Sequence, residues 1–110
     1  MQLRNSQLIG SNLMNATLNG SDLAYADLRF TNLSYSQLQN SLLLGANLKQ
    51  SDLSNADLTD ADLSFADLRN ANIGGSILQN TRFDNAIWTN GQLCGTNSID
   101  QCKVVSDSKP

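Results

Sequence analysis

Ala56-Asp57-Leu58-Thr59-Asp60-Ala61-Asp62-Leu63-Ser64-Phe65-Ala66-Asp67-Leu68-Arg69-Asn70 repeats the tripeptide Ala-Asp-Leu every five residues. A period of five suits neither ordinary element. In an α-helix of about 3.6 residues per turn, Leu58, Leu63 and Leu68 would each be rotated by roughly 140°, smearing around the cylinder instead of forming one stripe. In a flat strand the side chains alternate, so an odd period would send Leu58 and Leu63 to opposite faces. A chain that is strand-like within each five and bends before the next satisfies the pattern. The small residue and the leucine two positions later then share one side, and the repeat reads as a short wall followed by a corner.

The same count extends nearly end to end. Large apolar residues stand at Leu3, Leu8, Leu13, Leu18, Leu23, Leu28, Leu33, Leu38, Leu43, Leu48 and Leu53, continue through Leu58, Leu63 and Leu68, and finish as Ile73, Leu78, Phe83, Trp88 and Leu93. Two residues upstream of each, from Ser6 to Gly91, the occupant is Ser, Ala, Thr or Gly. Repeats in such a regular array bury their apolar face by stacking on their own copies. If each corner turns by about a right angle, four fives close a coil of twenty residues, and the next coil lies on it at roughly 4.8 Å. Four columns follow. The first wall carries Leu3, Leu23, Leu43, Leu63 and Phe83; the second Leu8, Leu28, Leu48, Leu68 and Trp88; the third Leu13, Leu33, Leu53, Ile73 and Leu93; the fourth Leu18, Leu38, Leu58 and Leu78. The small residues belong where two walls meet, because so narrow a tube has no room there for more.

The units Ser21-Asp22-Leu23-Ala24-Tyr25, Ala56-Asp57-Leu58-Thr59-Asp60, Ala61-Asp62-Leu63-Ser64-Phe65 and Ala66-Asp67-Leu68-Arg69-Asn70 resemble the pentapeptide-repeat proteins. Their consensus is a small residue, Asp or Asn, Leu, then two variable positions. The resemblance covers most of the chain and implies an all-β fold, a right-handed quadrilateral parallel β-helix. Departures come late, at Ser76-Ile77-Leu78, Thr81-Arg82-Phe83 and Ala86-Ile87-Trp88, where the acidic position is lost and the core residue grows. The expected organisation is about five coils over residues 1–98 and a non-repeat tail, 99–110, folded back as a cap.

The chain's 110 residues suit a single domain whose core is built by stacking. No apolar run approaches the roughly 20 residues that span a bilayer, and Met1-Gln2-Leu3-Arg4-Asn5 lacks the layout of a secretion signal; no membrane insertion is expected. The net charge is -3 and the seven basic residues are scattered, which points away from nucleic acid, whose binding needs a clustered basic face. There is no His and no Glu, so the commonest general base and metal ligand is missing and the serines have no base to activate them. No catalytic residue, cofactor or resident metal is expected, and the chain reads as a non-enzyme. Asp57, Asp60 and Asp62 gather near one corner, but the repeat dictates their spacing, and they read as solvated carboxylates.

The ends are more specific. At the N-terminus the repeat starts at once, with no visible cap over Leu3 and Leu8, so the first coil is expected either to pack end-on, in self-association, or to join upstream residues. At the C-terminus the pattern stops at Ser98, where a leucine would be due. Cys94 follows Leu93 and is expected to face outward. A Cys94–Cys102 disulfide requires the tail to fold back after about Thr96, and it excludes a sixth coil. The bridge would favour a periplasmic or thylakoid-lumen location; its absence would favour the cytoplasm.

Outward positions remain. Arg29, Lys49 and Arg69 fall one above another on the second wall beside Asp27, Asn47 and Asp67, a self-compensating ladder. On the first wall, Leu42 and Leu44 are both expected to point outward around core Leu43, with Tyr25 and Phe65 near the same edge, while Phe30 and Tyr35 take equivalent positions on neighbouring walls. An exposed apolar group of this kind is a candidate contact for a protein partner of unknown identity. The expected function is therefore a structural or interaction module. The resemblance also implies an alternative, since some pentapeptide-repeat proteins imitate duplex DNA and occupy DNA gyrase; that role needs strongly acidic faces and a long rod, which this chain supplies weakly.

Overall fold

The computed structural model describes residues 2–105, so residues 106–110 of the expected tail lie outside the described residues. Parallel pairing joins residues twenty apart throughout the repeat: Gln2 with Asp22, Gln7 with Asp27, Asn12 with Asn32, Thr17 with Gln37, and onward to Asp67 with Ile87. Each turn of twenty residues therefore carries four pairings, one per wall. Every pairing is a single residue deep, because the chain bends before a second can form. Leu8 N–H donates to the Asp27 carbonyl (2.8 Å) and Asp27 N–H donates to the Ser6 carbonyl (2.9 Å), and the same two-way link recurs up each wall. No helix is found among the described residues.

The corners are β-turns. The carbonyl of each column residue accepts the N–H of the small residue three later, as Leu58 does from Ala61 (2.9 Å) and Leu43 from Ala46 (3.0 Å). The residue before the small one is left-handed, with φ near +60° at Asn15, Tyr25, Asn40, Asn55, Asp60, Phe65 and Asn70 among others. Type II turns require this at their second central position. Small residues at the junction also close their own hydroxyls: Thr31 Oγ1 donates to the Leu28 carbonyl (2.6 Å) and Ser41 Oγ to that of Leu38 (2.7 Å). Thr31 and Ser41 thus carry no unsatisfied donor, whereas the buried hydroxyls of Ser36 and Ser51, at the same position, have no partner among the described residues.

Inside, the column leucines from Leu23 to Leu68, one every five residues, are fully buried. Each contributes roughly 2 kcal/mol of apolar burial. Leu3, Leu8 and Leu13 of the first coil are only partly covered by the described residues. At the other end Phe83 is buried and meets Trp88 edge-on, ring centroids 5.0 Å apart. The particle measures 46 × 24 × 23 Å.

The C-terminal register differs from the expectation. Leu93 is not the last member of the third column: it is 47% exposed, whereas Cys94 is fully buried in the core. The cause is a reversal of the chain. After Trp88 the backbone turns through Thr89, Asn90 and Gly91, with Gly91 at φ 86°, Gly91 N–H bonded to the Trp88 carbonyl (2.9 Å) and Trp88 N–H to that of Gln92 (2.8 Å). Leu93 consequently pairs antiparallel with Ile87. A hairpin return shifts the phase by one residue, and in an extended segment one residue exchanges the inward and outward sets. The fold-back therefore begins before Leu93, earlier than Thr96.

The returning segment then closes the end. Phe83 N–H donates to the Ser98 carbonyl (2.7 Å) and Asp100 N–H to that of Thr81 (2.9 Å), and Gly95 N–H reaches the Lys103 carbonyl (2.8 Å). Ile99 pairs antiparallel with Arg82, and Cys94 with Val104. Cys94 and Cys102 are joined, S–S 2.04 Å and Cα–Cα 5.1 Å. Ile73 and Leu78, on the two walls that this segment does not extend, stay only partly buried.

Candidate partner-contact surface

The position before each column residue carries most of the polar chemistry. Its side chain bends back over the wall, and Oδ1 accepts the N–H of the residue two later: Asp22 from Ala24 (3.0 Å), Asn32 from Ser34 (3.0 Å), Asp52 from Ser54 (2.9 Å) and Asp62 from Ser64 (2.9 Å). This is the local side-chain turn that Asp and Asn favour. These aspartates are therefore not simply solvated carboxylates, since they satisfy backbone donors in the second, third and fourth coils. Asp57 is an example: Oδ1 accepts from Thr59 Oγ1 (2.6 Å) and Oδ2 from Gln39 Nε2 (2.6 Å). No cluster with metal-holding composition occurs among the described residues.

Arginines pair with these acids. Arg29 grips Asp27 through two nitrogens (2.9 and 2.8 Å), Arg69 holds Asp67 (2.7 Å), Arg82 holds Asp84 (2.7 Å) and Arg4 reaches Asp22 (3.2 Å). The Arg29 side chain beside Asp27 lowers that carboxyl below its ordinary value. In Asp67 partial burial opposes ionisation, but the hydrogen bonds from Arg69 outweigh it and the value is again lowered. The Ala24 N–H is the main cause for Asp22, and the Thr59 hydroxyl for Asp57.

Against this compensated background, the first wall and its edge hold the apolar group. Leu42 is 43% exposed, and pairing sets it between Asp22 and Asp62. Leu44 is half-buried rather than outward, between Ala24 and Ser64 of the adjoining coils, which are themselves buried; it adds less surface than its sequence position suggests. Tyr25 and Phe65 occupy the corner beside Leu44, 54% and 61% exposed. Phe30 and Tyr35 are equally open but stand at the next two corners.

All four aromatics occupy the left-handed turn position, φ 60° at Tyr25, 61° at Phe30, 59° at Tyr35 and 63° at Phe65. For bulky residues this is a strained conformation. Tyr25 has support: the Arg4 guanidinium lies 5.9 Å from its ring centroid, and the ring covers Gly45, where an added Cβ would fall 2.5 Å from Tyr25 Cε1. The left-handed position had a sequence signal, since Asn or Gly recurs there at Asn5, Gly10, Asn15, Gly20, Asn40, Gly45, Asn55, Asn70, Gly75, Asn80 and Asn85. A surface hollow of about 150 Å³ lies elsewhere, lined by Arg69, Asn70, Thr89, Asn90 and Gly91, and is smaller than ligand pockets of roughly 300 Å³ and above.

The sequence matches the family described as Pentapeptide repeats over residues 2–40, 11–50 and 36–75. Among solved structures it is similar to alr5209, a pentapeptide repeat protein from Nostoc PCC 7120, at 41% identity and a TM-score of 0.72, covering 73% of this chain and 66% of that one. It is also similar to HetL, a pentapeptide repeat protein involved in heterocyst differentiation regulation in the same cyanobacterium, at 31% identity and a TM-score of 0.47, covering 84% of this chain and 46% of that one. A third is AT2G44920 from the Arabidopsis thaliana thylakoid lumen, at 28% identity and a TM-score of 0.47, covering 77% and 63%. The aligned region thus spans between about half and two thirds of the length of these structures. No curated protein gives a significant match. With its five-residue register matched across residues 2–75, the chain belongs to the pentapeptide-repeat family, whose members are known right-handed β-helices.

Proposed function

We propose that this chain is a non-catalytic interaction module, a rigid right-handed quadrilateral β-helix of about five coils that presents its first wall to a protein partner. The observation that carries this reading is Phe65: a large apolar ring, 61% exposed, held in a left-handed backbone that Asn or Gly would occupy without strain. Strain kept at an exposed apolar residue points to a use for the side chain. Tyr25 and Leu42 extend the surface, and Leu44 lies beneath it. The open first coil is a second contact surface, suited to end-to-end self-association. No cofactor enters the reading. The Cys94–Cys102 bridge favours an oxidising compartment, periplasm or thylakoid lumen.

The gyrase reading is less well supported. An imitation of duplex DNA needs unbroken acidic faces, whereas Asp22, Asp27, Asp67 and Asp84 each hold an arginine. Affinity capture from the source organism with the parent chain, and with Tyr25, Leu42, Leu44 and Phe65 all replaced by serine, tests the main reading. The serine variant is expected to lose a partner that the parent retains, while purified chain leaves gyrase supercoiling unchanged. Identical partner sets for both proteins would reduce the patch to scaffold.

A further inference from the structure

We infer that the first coil is a self-complementary face, covered in solution by a second copy of this chain related to the first by a two-fold axis across it. The inference rests on reading that coil as a contact surface, and is separate from the first-wall patch.

The first coil carries a complete, unused pairing edge. The N–H groups of Gln7, Asn12 and Thr17, and the carbonyls of Gln7, Ile9, Asn12, Met14, Thr17 and Asn19, have no backbone partner among the described residues, although the equivalent groups in later coils are bonded. Inside this perimeter Leu3, Leu8 and Leu13 are partly uncovered, and at its rim Ile9 and Met14 are 49% and 47% exposed. Exposed edges are normally protected by charge or proline. Residues 2–20 contain no proline and one charged side chain, Arg4, which is already paired with Asp22 (3.2 Å). The charge of Arg4 is thereby compensated within each copy.

Geometry selects the occupant. Few surfaces offer a four-sided perimeter of edge groups around an apolar centre at this spacing, and a second copy does so by construction. A two-fold axis across the face sets each wall antiparallel to its mate, a direction in which edge N–H and carbonyl groups pair directly. The end face, 24 × 23 Å, buries on the order of 500 Å² per protomer, close to the lower limit of a specific interface. The opposite end is occupied by the chain's own Ile99 and Val104 strands and the Cys94–Cys102 bridge. Pairing is consequently isologous and closes at two copies, without the propagation of a head-to-tail contact.

Sedimentation and small-angle scattering of the full chain test this directly. The expected result is a dimer of twice the single-chain mass, elongated along the shared coil axis. Ile9→Lys with Met14→Lys alters only exposed rim positions and is expected to weaken the dimer about tenfold or more. Gln7→Pro removes an edge N–H that no backbone group uses and is expected to do the same, with the circular dichroism of both variants unchanged. Tyr25→Ser with Phe65→Ser should leave the dimer intact, which separates this face from the patch. A monomer at about 100 μM would overturn the inference, as would a dimer that survives both coil variants or dissolves with the patch variant.

Discussion

At the fifth position of each unit the backbone is left-handed, and the occupants divide sharply. Asn and Gly hold most of these positions, while Tyr25, Phe30, Tyr35 and Phe65 place aromatic rings there. A left-handed conformation costs an ordinary L-residue about 1–2 kcal/mol, and Asn tolerates it far better. Phe65 is 61% exposed and so gains little burial in return. Phe65→Asn is therefore expected to stabilise the chain by about 1 kcal/mol, read as a higher urea midpoint at unchanged slope. Tyr25→Asn should not stabilise, because the Tyr25 ring lies between Arg4 and Gly45; a gain there equal to that at position 65 would show that those contacts contribute nothing. The same residues mark where the sequence was legible. The period alone marks the column leucines from Leu23 to Leu68 as core, because burial admits only apolar side chains there. The exposure of the aromatics is legible in the repeat, but their strain is not, because the consensus leaves the turn position variable.

The corner and the returning segment behave differently as elements. A corner depends on one hydrogen bond and one left-handed residue, both fixed within five positions, so the repeat announces it. The reversal at Thr89-Asn90-Gly91 is silent to the period, because Leu93 still falls on the count of five whether the chain goes on around the coil or turns back. Asn90-Gly91 was the available signal, being among the strongest hairpin dipeptides. Once the chain has turned, Cys94 takes the buried place, and the bridge to Cys102 spans eight residues. Closing a loop of that size contributes about 2–3 kcal/mol. Reduction is therefore expected to lower unfolding stability by about that amount. The loss should begin locally: in hydrogen exchange, the amides of Gly95, Asp100 and Val105 would lose protection before those of Leu43 and Leu48, which lie between two covered coils. Equal protection before and after reduction would mean that backbone pairing alone holds the end closed.

Over the whole molecule, the aspartates couple the second, third and fourth coils to pH. Asp22, Asp27, Asp57 and Asp67 all lie below their ordinary value of 3.8 in the folded chain. The unfolded chain, with ordinary carboxyls, takes up protons first on acidification. The stability these groups contribute is therefore complete above about pH 4 and is lost as pH falls through the lower folded values. The arginine pairs are largely exposed and add little individually; the hydrogen bonds that the ionised form strengthens come from the Ala24 N–H for Asp22, the Thr59 hydroxyl for Asp57, and the Arg29 and Arg69 side chains for Asp27 and Asp67. Asn makes the backbone turn bond without a charge: Asn12 accepts from Met14 (3.1 Å), Asn32 from Ser34 (3.0 Å), Asn47 from Lys49 (3.3 Å) and Asn72 from Gly74 (3.0 Å). Replacing the four aspartates by asparagine should keep the fold, lower its neutral-pH midpoint modestly because the contribution of the charged form is lost, and flatten the fall in stability on acidification below about pH 4. Urea midpoints of parent and fourfold variant across that range check it. An equal fall in both would assign the acid sensitivity to other carboxylates and leave these four as neutral turn-formers that happen to be charged.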